Sequence, residues 1–590
     1  MTNEQASVGI TAAGLLLLPL ELWLQVALYA DAHAVLRLCT ASRAFWCVLA
    51  NAQSLWKRLY QATFSEAASE RFWLTAYQSR LARSQKTSFE HVHVDWRRAL
   101  IARMQTEANW RLGRCVQRSC LMHESRQQHK SWSLAKFTPN ELLLRNCTSR
   151  VLHAIPTTAV NVAYTPLPIL LDDASSDEQI AANIYDAGDR CALLYARMSH
   201  QLGLRLWVRR SIDGPAHKLA QGVVGLDKCG RWVLAFQEVY CTLDAEIKSH
   251  WLLLDAEGDF PPQHLIALDA FDYKEYAAGR VSDADAEDTE IAAILGQHYQ
   301  SACIMSANND CVIICAVSVS WTWLYWKVIK VTFDHNISKA HLSHDQEHHA
   351  SMSCCCVRTL NTGRLNVQNG YMSMERLIVY ALGGGYVYVQ GLDNRRLLIV
   401  ILAMGASDAS SATQSAEADV HSSLHKFQHG WLDTTTQSLA MVLTHRQLLV
   451  TMLRDTERQN GGGWPTRLLR FHDGSLAASY LLPDHDTIDH ILGDLAVLTV
   501  RHENGYRLVL FDAFAGVTVR KIHSAAGNPH INQPRISPVY LFTGWQESEK
   551  RHGNNEEDSG LLPLKQNERA QPFLRHIKWL DFMPDFDKSA

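Results

Sequence analysis

A chain of 590 residues exceeds one ordinary hydrophobic core, so two or more structural units are expected. Hydrophobic residues make up 47% and charged residues 20%, which excludes wholesale disorder. A net charge of −4 lacks the basic excess of a general nucleic-acid binder, and the 14 irregularly spaced cysteines read as reduced intracellular thiols rather than a disulfide framework.

Residues 1–14 read as a disordered tail. The apolar run Gly14–Leu20 is short and ends at Glu21, and the stretch before it holds Glu4 and no Lys or Arg. It therefore lacks the charged start of a signal peptide, and no later run reaches the ~18 apolar residues of a membrane span. The expectation is a soluble cytoplasmic or nuclear protein.

Residues 15–113 read as helix. Leu20, Trp23, Leu24, Ala27 and Leu28 fall at helical spacing, while Leu22, Val26 and Tyr29 cover a second face. A short helix apolar on two faces needs a core on one side and a partner on the other. Asp31 can cap a second helix carrying Val35, Leu36, Leu38 and Cys39. Ser42 can cap a third with Phe45, Val48 and Leu49, and Ser54 a fourth with Leu55, Trp56, Leu59 and Tyr60. Two longer helices are predicted over Glu66–Leu81 and Asp95–Arg111, with Gly113 as a C-terminal stop.

Beyond Gly113 short runs rich in Val, Leu, Ile, Trp and Tyr alternate with turn residues, the pattern of many short strands. A weak repeat recurs. Gly203–Val208 leads to Ile212-Asp213-Gly214, Arg467–Phe471 to His472-Asp473-Gly474, and Gly505–Phe511 to Asp512 and Gly516. A strand followed by an acidic turn with Gly, at such intervals, suits propeller blades better than a sandwich. The polar stretches Ala277–Thr289, Asp334–Ser351, Ala406–Ser423, Arg454–Gly463 and Glu547–Leu561 read as surface loops.

Three features could carry chemistry and are assigned blander roles. His335, His341, His344, His348, His349 and Cys354–Cys356 lack paired zinc-ligand spacing apart from His344 and His348, so a polar loop is expected and no metal. Gly383-Gly384-Gly385 lies between two strands without the Lys-Ser/Thr of a phosphate loop and reads as a hairpin turn, and Gly461–Gly463 as a turn or linker. The carboxylate pairs at Asp172-Asp173 and Glu556-Glu557-Asp558 read as solvated turns. No Gly-x-Ser-x-Gly elbow and no His-Glu-x-x-His helix occurs, so no cofactor and no catalytic role is expected.

The run Leu18-Pro19-Leu20-Glu21-Leu22-Trp23, then Val26, Leu36-Arg37-Leu38-Cys39, Ser42-Arg43, Phe45 and Leu55-Trp56 resembles the F-box. The family opens with Leu-Pro and an acidic residue, continues with a Leu-rich helix and an Arg–aromatic pair, and closes on Leu-Trp. Trp46 and Cys47 stand where a more basic pair is often seen. A second stretch, Trp96-Arg97-Arg98 to Asn109-Trp110 and Gly113, resembles the helix that joins an F-box to a WD-repeat-type propeller.

The resemblance implies an all-α F-box module at 15–62, a helical linker at 63–113 and an all-β, propeller-like domain at 114–590 that binds a target protein. It implies docking on a Skp-type adaptor, and through it a cullin, by Leu18, Pro19, Leu20, Glu21, Leu22, Val26, Leu36, Leu38, Cys39 and Trp56. Leu24, Leu28, Val48 and Leu49 are expected in the module's own core. Such a protein is a substrate receptor of a ubiquitin ligase and not an enzyme. The alternatives are an F-box scaffold acting outside the ligase and a propeller enzyme with a helical appendage. The helix at Trp96–Arg111 is expected to act as a stiff spacer, and the strand region to fold without it.

Overall fold

The structure, a computed structural model, describes residues 22, 25–27, 30–64, 68–86, 92–124, 132–146, 149–158, 160, 163–164, 166–186, 192–196, 203–210, 214–241, 246–265, 299–320, 323–333, 355–366, 376–383, 386–393, 396–404, 424–432, 438–443, 447–453, 466–472, 475–482, 485, 487–502, 505–526, 535–547 and 573–584. Leu22 and residues 25–27 are helical. Then come α1 (Ala32–Ala41), α2 (Arg43–Leu49), α3 (Gln53–Thr63), α4 (Ala68–Gln85) and α5 (Trp96–Leu112). After Gly113 the described residues are almost all strand, broken by one short helix, α6 (Ser176–Ala181).

The helix ends follow from local chemistry. Asp31 accepts from the Ala34 N–H at 2.7 Å and starts α1. Asp95 accepts from the Arg97 and Arg98 N–H groups and starts α5. Ser42 stands at the start of α2 without a side-chain cap, and α3 begins at Gln53, which leaves Ser54 inside the helix instead of capping it. Gly113 stops α5 in the left-handed region at φ 75°, where a side chain would meet the Arg520 guanidinium.

Among the described residues the strands form six four-stranded sheets and one of seven strands. Sheet one unites both ends of the strand region: β1 (Val116–Glu124) pairs antiparallel with β31 (Phe573–Asp581), itself paired with β30 (Tyr540–Glu547). Sheet two holds β2 (Trp132–Phe137), β3 (Glu141–Asn146), β4 (Leu152–Pro156) and the two-residue β6 (Leu167–Pro168); β5 (Ala163–Tyr164) joins β1 in sheet one. Sheet three runs β7 (Asn183–Asp186), β8 (Ala192–Ala196), β9 (Leu204–Arg209), β10 (Ala216–Cys229), β11 (Trp232–Cys241), β12 (Glu246–Asp255) and β13 (Gln263–His264).

Four regular sheets follow. They are β14 (Tyr299–Ala307) to β17 (Cys355–Asn366), β18 (Arg376–Gly383) to β21 (Leu424–Leu432), β22 (Ser438–Leu443) to β25 (Ser475–Leu481), and β26 (Thr487–Leu492) to β29 (Val517–Ala526). Gly383 pairs with Tyr386 at the β18–β19 hairpin, as the glycine run predicts.

The seven-stranded sheet is two units sharing one strand. Ala216–Val223 of β10 pairs with β9, and Val223–Cys229 pairs with β11. The change of partner falls beside Gly222, at φ 69°, whose backbone lies so close to Gly203 that a Cβ on Gly203 would come within 2.6 Å of it. Counted this way, the six four-stranded sheets and these two halves make eight units.

Neighbouring units share hydrophobic clusters in chain order. Leu143 and Leu152 pack with Leu194 and Trp207, and Leu206 and Val208 with Val233 and Leu254. Trp232 and Leu253 pack with Ile314 and Ile329, and Cys315 and Val328 with Val387 and Leu402. The first strands β14, β18 and β22 touch in succession, and Tyr480 packs with Leu498 and Phe511. The largest cluster holds Leu508 of β28 (Gly505–Asp512), Trp579 of β31 and Leu142 of β3 together with the helical side chains Trp56, Trp73 and Trp110.

That cluster corrects the expectation of a free-standing spacer. The Trp110 ring lies 3.6 Å from the Phe582 ring, stacked, and its Nε1 donates to the Pro538 carbonyl at 3.0 Å. Asn109 donates to the Phe582 carbonyl, and Arg111 pairs with Asp512 at 2.5 Å. A helix with Trp110 and Arg103 fully buried cannot stand in solvent, so the helices and the last sheets are one packed body.

Candidate partner-docking surface

The N-terminal helices bury most of their described apolar side chains in the cluster they share with the strands. Val35 and Cys39 of α1, Phe45 and Leu49 of α2, and Leu55, Trp56, Leu59 and Tyr60 of α3 are all buried in it. The Trp56 ring is fully enclosed, and its Nε1 donates to the Leu49 carbonyl at 2.8 Å, which ties α3 to the end of α2. Tyr60 meets Phe64 and Trp96 edge-on at 5.0 and 5.5 Å.

What remains outside is apolar. Leu22 is 43% and Val26 49% exposed, one helical turn apart, and Leu38 and Trp46 are also exposed. Leu36 is half-buried against the core. The residues expected to dock therefore divide. Leu22, Val26 and Leu38 face outward; Leu18, Pro19, Leu20 and Glu21 lie outside the described residues, as do Leu24 and Leu28. Cys39 and Trp56 are in the core, which corrects their placement on the surface: a partner could reach them only by opening the module. Leu49 is buried as expected, and the Val48 side chain is outside the described ones.

Trp46 is the surface residue that sequence reading did not assign to docking. Its signal was available, because Ser42, Phe45 and Leu49 define one face of α2 and Trp46 falls off it. The Arg97 guanidinium sits 4.1 Å over the indole, so α5 braces it. The surroundings are basic. From Ala32 to Phe64 the chain carries Arg37, Arg43, Lys57 and Arg58 with no Asp or Glu.

Beneath this surface buried ions bolt the helices to one another and to the strands. Arg103 of α5, fully enclosed, pairs with Glu70 of α4 through two hydrogen bonds, one of them 2.6 Å, and with Glu107 at 3.2 Å. Arg80 of α4 reaches Asp581 at 2.7 Å, and Arg118 of β1 reaches the same carboxylate at 2.5 Å.

His490 of β26 stands at the same seam. Its Nδ1 lies 3.4 Å from the Ser69 hydroxyl and its Nε2 3.0 Å from the Gly493 carbonyl. Burial holds its pKa below the ordinary histidine value; the Gly493 carbonyl, Glu70 and Glu107 oppose that, and Arg103 adds to it. His153 and His523 are lowered as well, chiefly by burial. Such groups bind more protons unfolded than folded. The stability they permit is complete above the unfolded imidazole value of ~6.5 and is lost as pH falls below it. Urea unfolding at pH 7.5 and pH 5.5 is expected to give the lower midpoint at pH 5.5, by a margin that shrinks in His490→Gln.

No group of three or more metal-ligating side chains occurs among the described residues. His335, His341, His344, His348, His349 and Cys354 lie outside them, while Cys355 and Cys356 are in β17. Burial pushes the Cys303 thiol well up and that of Cys315 to about 12, so these opposed thiols are poor nucleophiles. Asp172 accepts from the Lys218 N–H and Asp173 pairs with the Lys218 ammonium, a surface turn as expected. The polar stretches predicted as loops fall outside the described residues except for Glu547, the last residue of β30, and so do Gly384, Gly385, Gly461–Gly463 and Glu556–Asp558. No described helix is long and apolar enough to cross a membrane.

No family model and no curated protein matches the chain. Among solved structures it is similar to prolyl oligopeptidase B from Galerina marginata, at 10% identity and a TM-score of 0.34, covering 81% of this chain and 57% of that one. It is also similar to the Dos1 propeller, at 8% identity and a TM-score of 0.32, covering 80% and 93%. The β-propeller domain of the Trilobed protease from Pyrococcus furiosus matches at 7% and 0.27, covering 54% and 76%. The chain thus spans little more than half the length of the prolyl oligopeptidase it matches.

Proposed function

We propose that this protein is the substrate receptor of a cullin-type ubiquitin ligase. Its N-terminal helices dock on a Skp-type adaptor, and its eight strand units, arranged as the blades of a β-propeller, hold a target protein. The observation that carries the docking half is the set Leu22, Val26 and Leu38, apolar and exposed beside helices whose Val35, Phe45, Leu49, Leu55 and Leu59 are buried. Supporting the propeller half are the shared clusters that run unit to unit, and the pairing of β1 with β31 that joins first and last.

The mechanism under this reading is proximity. A target held on the strands is kept near the charged ubiquitin carrier, which raises the effective concentration of its lysines. The receptor lends position and no reacting group, and works in the cytoplasm or nucleus. A helix layer packed onto the strands would hold that distance through a rigid body, and not through a lone spacer.

The test is a binding assay with a purified Skp-type adaptor. Each large apolar side chain buried contributes about 1.5–3 kcal/mol, so Leu22→Asp with Val26→Asp is expected to weaken the complex on the order of 100-fold or more. Both residues are exposed, so the melting temperature should hold. Unchanged adaptor binding by the double variant sinks the reading. If the adaptor binds and no cullin co-purifies from cells, the scaffold reading takes its place.

A further inference from the structure

Four exposed apolar side chains gather at one edge of the molecule, none of them in the set assigned to the adaptor. Leu112, the last residue of α5, is 62% exposed, and Val517, the first of β29, is 53% exposed. Val116 opens β1 and Phe514 stands in the turn between β28 and β29, and both are exposed as well. We propose that this edge rests on an anionic lipid bilayer, with the four side chains entering the headgroup layer and the basic residues beside them meeting the lipid charge.

Three contacts tie the end of α5 to the start of β29. Arg520 of β29 donates from Nε to the Trp110 carbonyl at 3.0 Å, and its guanidinium lies against Gly113. Arg111 reaches Asp512, which pairs with Val517 across the β28–β29 ladder. The Phe514 turn is braced. The Asp512 carboxylate accepts from the Ala515 N–H at 2.8 Å, its carbonyl accepts from the Gly516 N–H at 2.8 Å, and the Tyr480 hydroxyl donates to the Phe514 carbonyl at 3.1 Å. An aromatic ring on a fixed turn loses little freedom on contact.

Charge selects the lipid. Glu107 and Asp512 are paired with Arg111, and Asp581 with Arg80 and Arg118. Arg114, Arg520 and Lys521 have no carboxylate partner among the described residues, and only the half-buried Asp494 at the neighbouring turn stands against them. The excess at this edge is positive. Near an anionic surface each such cation contributes roughly fivefold in affinity. Shape points the same way. All four apolar side chains stand at element ends or in a turn, so each can enter a fluid headgroup layer by itself, where a folded partner would need a matching surface.

The proposal does not depend on the ubiquitin reading. The test is co-sedimentation of the full chain with vesicles, one set of equal parts phosphatidylserine and phosphatidylcholine, the other of phosphatidylcholine alone. The mixed vesicles are expected to bind more tightly, on the order of tenfold or more, and raised salt to weaken them. Arg114→Glu with Lys521→Glu should weaken that binding on the order of tenfold or more. Leu112→Ser with Val517→Ser, both at exposed positions, should weaken it by a similar factor with circular dichroism unchanged. The charge pair keeps the test decisive if the serine pair misfolds. Leu22→Asp with Val26→Asp should leave vesicle binding as it was. No binding to the mixed vesicles, equal binding to both sets, or binding that survives either paired substitution in a folded chain overturns the proposal and leaves the edge to a protein partner. Loss of vesicle binding in the Leu22/Val26 variant would also overturn it, by placing the lipid on the adaptor surface.

Discussion

Asp581→Ala is expected to lower the unfolding free energy by about 3–5 kcal/mol, the usual cost of removing one partner from a buried ion pair. The Asp581 side chain is 1% exposed and accepts from Arg80 on α4 and Arg118 on β1. It also accepts from the Met583 N–H, which shapes the chain just past β31. Without it the Arg80 guanidinium would stay enclosed, with only the Tyr540 hydroxyl, at 3.3 Å, left to answer it. Urea titration followed by circular dichroism at a helix-sensitive wavelength and by tryptophan fluorescence should show both signals shifting together. A shift in one signal alone would mean that the helices and the strands unfold separately.

Trp110→Ala should cost a similar amount, about 3–5 kcal/mol for a large aromatic removed from a packed core. The ring is fully buried, stacked on Phe582 and hydrogen-bonded to the Pro538 carbonyl. A chain beginning at residue 114 should fare worse than the point variant. It lacks Trp110, Asn109, Arg111 and Arg103, and bares the faces of Phe582 and Leu495 that the helices cover in one cluster. That fragment is expected to aggregate on expression while the full chain stays in solution. A monodisperse fragment with a strand-type spectrum would show that the strands close without the helical layer.

Much of the fold was legible because it is local. Asp31 and Asp95 cap where a short acidic side chain precedes an apolar period, and Gly113 stops α5 where only a left-handed residue fits. The weak repeat falls on β9, β24 (Thr466–His472) and β28, each the third strand of its unit. Its acidic turn also has a physical role. Asp213 and Asp473 lie outside the described residues, but Asp512 accepts from the Ala515 N–H at 2.8 Å. Asp255, the last residue of β12 and outside that repeat, shapes its turn in the same way by accepting from the Glu257, Asp259 and Phe260 N–H groups. Although burial acts to raise it, Arg231 and the Glu257 and Phe260 N–H groups hold the Asp255 pKa below the usual carboxylate value.

What escaped the sequence is distant in it. Nothing around Trp110 announces Phe582, and a helix with Arg103 and Glu107 on it looks solvated until Glu70 and Gly493 close over the charges. The docking surface failed in the same way at Trp56. A Leu-Trp pair reads as an exposed signature, but the indole is fully buried among the apolar side chains of the helices, and its Nε1 adds a second donor to the Leu49 carbonyl at the end of α2. Trp46, which does face out, sits next to the Phe45 that does not.

The pairing of β1 with β31 sets an order on synthesis. Arg118 leaves the ribosome 463 residues ahead of the Asp581 it grips. At ~5–20 residues per second that gap lasts roughly half a minute to a minute and a half. Until the last strands emerge, the helices lack the part of their hydrophobic floor that Leu508 of β28 and Trp579 of β31 supply. A chaperone that masks them is therefore expected on the nascent chain, to be released only when the last strand arrives. A message truncated before that strand would yield a polypeptide with its amino-terminal helices permanently uncovered, and so marked for removal by its own stickiness.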